Sequence, residues 1–409
     1  MAITGQARRR RIILNADAYI SSATSNVPVL VKFNSTSHPD LFGTGDDKDS
    51  VWFSSDASGQ TTLYHEGVVF DSTDAIFYVK VDLSSTADTT IYVWYGTPAI
   101  TGTESKTNVW TNGRAIYHLE GLTDSSGNSN TLTASGASST TSGLVGGAYS
   151  FDGSNDYLYA SDSATLDISG TDFTVIAWAY LDTLGVGKAV LTKTTVYDND
   201  GVNYALVPST GDNLHHFFVS DSSGISKHAG IAQDGTDFIA NAWTHLVGTY
   251  NTSNRLLKLY TNGVMRDDDT APYAVASNNG RLYIGSYYTT YFLDGRIDEV
   301  WIFSDLKTAD FVDAVYNNVQ NYSTFVTIDG AVSVGGTPKE IYPVWTSQAN
   351  YNSSVSAAVG LSAAVSTQAD LNRSVAGAIG LSATVSRQKD LIRAVSASIG
   401  LSATAALQW

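Results

Sequence analysis

An all-β fold is expected from the acid balance, the aromatic and β-branched runs, and the density of turn residues. Of the 39 acidic residues in the 409-residue chain, five are Glu and 34 are Asp. Asp favours turns and caps, whereas Glu favours helices. The 35 Gly and 23 Tyr, with abundant Ser and Thr, fit short strands joined by many turns. At 43% hydrophobic and 15% charged, the chain can build two or three packed domains. A formal charge of −16 argues against a nucleic-acid partner. Cysteine is absent, which removes disulfides and thiolate metal sites. No run of about 18 apolar residues occurs, so no membrane span is expected. The basic N-terminal stretch is followed only by Ile12-Ile13-Leu14, far short of a signal-peptide core, so the chain is expected to be made in the cytoplasm.

Residues 1–100 form the first expected domain, a β-sandwich. Its strands are "VPVLVKF", "SVWFSS", "AIFYVKVDL" and "TTIYVWYG", with "DDKD" and "DASGQ" as turn material. The run Arg8–Arg11 reads either as a patch for an anionic surface or as an exposed edge leading into the first strand. The stretches "NVPVLVKF", "DSVWFSSDASGQTTLYHE" and "AIFYVKVDLSSTADTTIYVWYGTP" resemble a β-rich domain without assigned function. That domain often precedes laminin-G-like modules in bacterial and phage surface proteins. The family's leading Trp and Tyr are missing before the basic stretch, so an altered first strand is expected.

Residues 101–323 read in order as "AIYHLEG", "DSSGNSNTLTASG", "GGAYSFDGSNDYLYAS", "DFTVIAWAYLD", "WTHLVGTYNTSNRLLKLYTNGV", "RLYIGS" and "FLDGRIDEVWIF". These are alternating strands joined by Asp, Asn and Gly turns, with "TNGV" a tight hairpin, and they predict a two-sheet sandwich. The same ordered set resembles the concanavalin-A-like, laminin-G/pentraxin-type jelly roll. One short helix is expected at "KTADFVDAVYNN", with Asp305 as its cap and Phe311 and Val315 four apart on one face.

Residues 324–409 are expected to be a β-repeat assembly segment of period 20. Its copies align Val355/Val375/Val395, Gly360/Gly380/Gly400, Leu361/Leu381/Leu401 and Gln368/Gln388/Gln408. At about 100° per residue the large aliphatic side chains form no stripe, whereas they alternate cleanly as a strand. Strands of about 13 residues follow, on the order of 43 Å long, with the central Gly bending each one. The segment from 341 to 409 carries a net charge of +2 within a chain of −16, so a basic tail facing an acidic neighbour is expected.

Candidate chemistry is sparse. The loop "FDGSNDY" offers Asp152, Asn155 and Asp156, hard oxygen donors suited to calcium. The resemblance implies that Asp298 of "IDEV" would complete a structural calcium site. The alternative is that these residues simply build turns. "GSYYTTYFLDG" places Tyr287, Tyr288 and Tyr291 in one loop. Such a loop suits a glycan, or covers the sandwich end, or touches a neighbouring subunit. His215-His216 would ligate a metal only if the two rings converged, and neighbours on a strand point apart. Glycosidases of the resembled fold place two Glu on one strand face. Here Asp298 and Glu299 are adjacent and expected on opposite faces, with Glu66 and Glu120 in other elements, so no enzyme is expected.

The expected function is a non-enzymatic bacteriophage virion surface protein, such as a fibre, spike or capsid-decorating subunit, with a lectin-like domain for adhesion. Its expected partners are other virion proteins, copies of itself and a host surface glycan. The expected location is the virion surface after release by lysis. A leaderless bacterial adhesin or filament protein, extracellular or on the cell surface, is the alternative, and a glycan depolymerase the third reading.

Overall fold

The strand bearing the arginine run, Gln6–Leu14, is not an edge. It pairs antiparallel with Thr89–Tyr95 on one side and with Val326–Ile328 and Val332–Gly335 on the other. Arg10 is buried, and its guanidinium donates to the Tyr95 hydroxyl at 3.0 Å and to the Asp40 carboxylate. Arg11 pairs with Asp329 at 2.7 Å. The run is therefore held by fixed acceptors inside a sheet. Residues 326–335, assigned from sequence to the tail, complete this N-terminal sheet instead.

The computed structural model describes residues 6–42, 48–96, 104–183, 188–195, 201–207, 215–220, 226–232, 239–271 and 274–335, and within the repeat 362–365, 382–385 and 402–405. The chain divides into two units, Met1–Gly336 and Thr337–Trp409.

In the first unit the N-terminal sandwich comprises that six-stranded sheet and a three-stranded one, Thr24–Asn34, Asp74–Leu83 and His65–Phe70. Thr24–Asn34 buries nearly every residue from Val27 to Phe33, so both faces of the small sheet are covered. One face fills the sandwich. On the other side Asn318, from the helix Ala309–Gln320, exchanges hydrogen bonds with the backbone of Leu30 at 2.6 and 3.1 Å.

The second sandwich packs an eight-stranded sheet on a seven-stranded one, all pairs antiparallel. Inward residues of both sheets, among them Val175, Ala177, Leu206, Leu282, Ile297 and Ile302, form one core. The expected hairpin is present: Asn262 and Gly263, at φ of 51° and 81°, join Leu256–Thr261 to Val264–Thr270. The expected helix is present as Ala309–Gln320, but its cap is Thr308, whose hydroxyl accepts from the Phe311 N–H at 3.1 Å. Asp305 instead takes Lys307 Nζ at 3.0 Å. Among the described residues no helix is long and apolar enough to cross a membrane.

The second unit, described by itself, contains Ser362–Val365, Ser382–Val385 and Ser402–Ala405, stacked parallel and in register. Val365 lies opposite Val385, and Val385 opposite Ala405, so the 20-residue sequence period is also the spatial period. The expected β character holds for these strands. Each is four residues long, and the rest of each expected 13-residue strand lies outside the described residues.

Candidate functional site

Period-two alternation builds an aromatic surface on the outside of the seven-stranded sheet. In Tyr157–Ala160, Leu158 and Ala160 enter the core while Tyr157 and Tyr159 face out. In the neighbouring Arg281–Ile284, Leu282 and Ile284 enter the core and leave Arg281 and Tyr283 outside. The Tyr157 ring lies 6.0 Å from Tyr159, 5.8 Å from Tyr283 and 6.2 Å from Phe292. Tyr283 meets Tyr288 edge-on at 5.6 Å, and the Arg281 guanidinium sits 4.6 Å over Tyr159.

The hairpin formed by Ser286–Tyr287 and Thr290–Phe292 supplies the remaining rings, and it divides the three tyrosines expected to bind ligand. Tyr287 is buried in a satellite cluster with Ala189, Val202, Ala205, Val207 and Phe218, so it anchors the hairpin. Tyr288 is half-buried and Tyr291 is 45% exposed, and both have left-handed backbone, φ 60° and 50°. Tyr157, Tyr159 and Arg281 were missed as candidates. The alternation in "YLYA" and "RLYI" was the signal that could have found them.

The four expected calcium ligands do not meet. Asp152 Oδ1 accepts from the N–H groups of Ser154 at 2.8 Å and Asn155 at 3.2 Å, which holds its carboxyl below the usual range and closes a turn. Asp156 Oδ2 accepts from Asp152 N–H at 3.1 Å; partial burial, then the Asp152 charge, hold its carboxyl high. Asp298 lies elsewhere. Asp152 sits opposite Asp294, and Asp298 is four residues further along that strand, about 13 Å away. The Asp298 side chain is fully buried, with Oδ2 accepting from Leu144 and Val145 N–H at 2.8 and 2.9 Å. Among the described residues no group of three or more His, Asp or Glu side chains is arranged to hold a metal. His216 is buried and stacks on Phe218 at 5.0 Å; the His215 side chain lies outside the described residues.

The carboxylates expected on opposite faces are turned to the same side. Trp178 pairs with Asp298 and Ile176 with Trp301, so the Asp294–Phe303 strand carries an extra residue, a β-bulge, where Glu299 has φ 49°. Ile297, Val300 and Ile302 enter the sandwich core, while Trp301 and Phe303 join the core shared with the N-terminal sandwich. Glu299 points the same way as Trp301, whose indole N–H donates to it at 2.8 Å. Beside it His118 contacts Glu299 at 2.8 Å and Glu66 at 3.2 Å. Glu66 also accepts from Ser125 Oγ at 2.7 Å and from the Trp110 indole. Glu66, His118 and Glu299 are at most 6% exposed. Glu120 stays exposed and accepts from Gly147 N–H. No short-range sequence signal brings Glu66 to Glu299.

Antiparallel sheets packed on a shared aliphatic core define a two-sheet β-sandwich, here with an outward aromatic face. In agreement, residues 152–313 match the model of the concanavalin A-like lectin/glucanases superfamily, of laminin-G type. No curated protein sequence matches the chain. Among solved structures the chain is similar to domain 4 of an extracellular arabinanase from Geobacillus stearothermophilus, determined with arabinotriose. The identity is 21%, over 50% of this chain and 98% of that one, with a TM-score of 0.41. It is also similar to the binding domain of Paraclostridial mosquitocidal protein 1, at 18% identity over 51% of this chain and 53% of that one, TM-score 0.41. The botulinum neurotoxin serotype D binding domain gives 14% identity over 50% and 51%, TM-score 0.41. The match thus spans about half the length of either toxin structure.

Proposed function

We propose that the chain is a non-enzymatic surface subunit that binds glycans through the outer face of its lectin-like sandwich. The observation that carries this reading is the contiguity of half-buried Tyr157, Tyr159, Tyr288 and Phe292, with Arg281 at one side. A sugar ring stacks its C–H face on such rings, and its hydroxyls take hydrogen bonds from the arginine. Left-handed backbone costs an L-residue about 1–2 kcal/mol. Its occurrence at both Tyr288 and Tyr291 fits a hairpin shaped to present rings, since such strain gathers at binding sites. The test is binding to a panel of bacterial surface polysaccharides. Wild type should bind, the Tyr157→Ala/Tyr159→Ala double variant should not, and no new reducing ends should form. Equal binding by the double variant overturns the site; released reducing ends overturn the non-enzymatic reading.

The setting proposed for this subunit is a bacteriophage particle, assembled through the C-terminal repeat. Support comes from the in-register parallel strands, whose ladder can be extended by another copy. Truncation after Pro338 should abolish assembly, and the chain should be found in purified particles. Recovery from cell surfaces alone would instead make it an adhesin. For calcium the proposal keeps only the surface loop, with Asp152, Asn155 and Asp156 as side-chain donors. Calcium should raise the melting temperature and Asp152→Asn should abolish the rise; a melting curve unchanged by EDTA overturns it.

A further inference from the structure

The interface between the N-terminal sandwich and the second sandwich is largely apolar, with a cluster of buried charged groups set into it. Its core joins Tyr78, Trp110, Trp178, Trp301 and Phe303 to the aliphatic side chains of the small N-terminal sheet. Within it lie the carboxylates of Glu66, from the strand His65–Phe70, and Glu299, from the strand Asp294–Phe303. The His118 ring lies between them with one nitrogen on each: Nε2 on Glu66 and Nδ1 on Glu299. Two ionised carboxylates only accept hydrogen bonds, so both ring nitrogens must donate, and only the imidazolium has two N–H groups. A neutral ring would donate to one glutamate alone. The other would keep its remaining donors, Trp301 for Glu299 or Ser125 and Trp110 for Glu66, but lose one hydrogen bond and the positive charge between the two buried carboxylates, which is unfavourable.

We infer that His118, held as an imidazolium between one glutamate of each sandwich, is an interdomain lock that makes the two sandwiches unfold as a single body.

The surroundings support this charge state. Tyr78 stacks on the ring at 5.2 Å, and Trp110 lies 5.3 Å away. Lys106 approaches Glu66 at 3.4 Å, and no other cation pairs with Glu66 or Glu299 among the described residues. Asp298, beside Glu299, is pushed well above the usual carboxyl range, first by burial and then by the Glu299 charge. Glu120 lies on the histidine's own segment, two residues on. Burial lowers the His118 pKa, but Glu299 and Glu66 outweigh it and raise it to about 10. Burial raises Glu66, and His118, Ser125 and Trp110 outweigh that to bring it to about 2. A histidine value raised on folding means that its contribution is complete below about 6.5 and lost as pH rises through about 10. A glutamate value lowered on folding means the reverse: present above about 4.5, lost as pH falls through about 2.

Calorimetry of the full chain, with NMR of the histidine rings, tests the lock. At pH 6 the two sandwiches should melt in one transition; at pH 10, or at pH 6 in His118→Gln, they should melt in two. If His118→Gln does not fold, Glu66→Gln supplies the second arm, since it removes one charge and keeps the shape. It should lower the wild-type His118 midpoint by at least one pH unit, a tenfold loss of proton affinity. A wild-type His118 that titrates near 6.5 overturns the inference, as does a single transition that survives both pH 10 and the substitution.

Discussion

The two sheets of the second sandwich each turn aromatic residues away from their common core, and the two outer faces have opposite fates. On the eight-stranded sheet Trp178, Tyr260, Trp301 and Phe303 are at most 3% exposed. They lie beneath the small N-terminal sheet and the helix Ala309–Gln320. On the open side Tyr157 and Tyr159 of the seven-stranded sheet, with Tyr288 and Phe292 of the adjoining hairpin, remain half-buried, and Tyr291 of that hairpin is 45% exposed. The covered set and Tyr157 and Tyr159 arise from the same period-two pattern, to which the hairpin adds the other open-side rings. What differs is whether the chain lays another element across them, and that decides whether an aromatic face becomes core or contact surface.

The strongest way to break this comparison is to truncate a ring on the covered face. Trp301→Ala should cost about 3–5 kcal/mol, because it opens a cavity and also leaves Glu299 without the indole donor. Chemical denaturation would measure it, and a loss below about 1 kcal/mol would mean that the face is not core. Next in size is Gly285→Ala, at the root of the hairpin on the open side. Gly285 has φ 82°, and an added Cβ would lie 2.3 Å from the Phe151 ring. Backbone strain and overpacking together should cost about 2–3 kcal/mol in the same assay.

A smaller effect separates two tyrosines of that hairpin. Tyr287→Ala should lower stability because the ring fills the satellite cluster. Tyr291→Ala should change stability by less than about 0.5 kcal/mol yet weaken glycan binding, by roughly two- to tenfold for one stacked ring. Circular-dichroism melts alongside binding titrations would show the split; equal losses of stability would remove the distinction between anchor and contact. The smallest effect is expected from the tail. Truncation after Pro338 should change the stability of the first unit by less than about 0.5 kcal/mol, since both sandwiches and their cores lie within Met1–Gly336; a larger loss in the calorimetric melt would overturn this.

Much of the fold was legible because it depends on short-range chemistry. Asp-rich turns, β-branched alternation and the Asn262-Gly263 turn gave the strands and the hairpin, and repeated aliphatic positions gave a β period of 20. The helix was legible in its apolar spacing, but its cap was misplaced by three residues because Asp305 and Thr308 are both capable of capping. Which polar residues meet was much less legible. Asp152 and Asp298 share a motif order but stand about 13 Å apart along the sheet. Asp298 and Glu299 alternate in sequence yet turn to one side through a bulge.

By itself, then, the sequence determined the all-β class, the lectin-like sandwich and the repeat, because periodicity and turn preference act between residues a few positions apart. Only the tertiary structure decided that residues 326–335 return to the first strand and that the arginine run is internal to a sheet. It alone decided that Glu66, His118 and Glu299 meet across an interface. Those outcomes join residues 52 to more than 300 positions apart. They depend on which faces are buried against each other, and no local pattern of side chains records that choice.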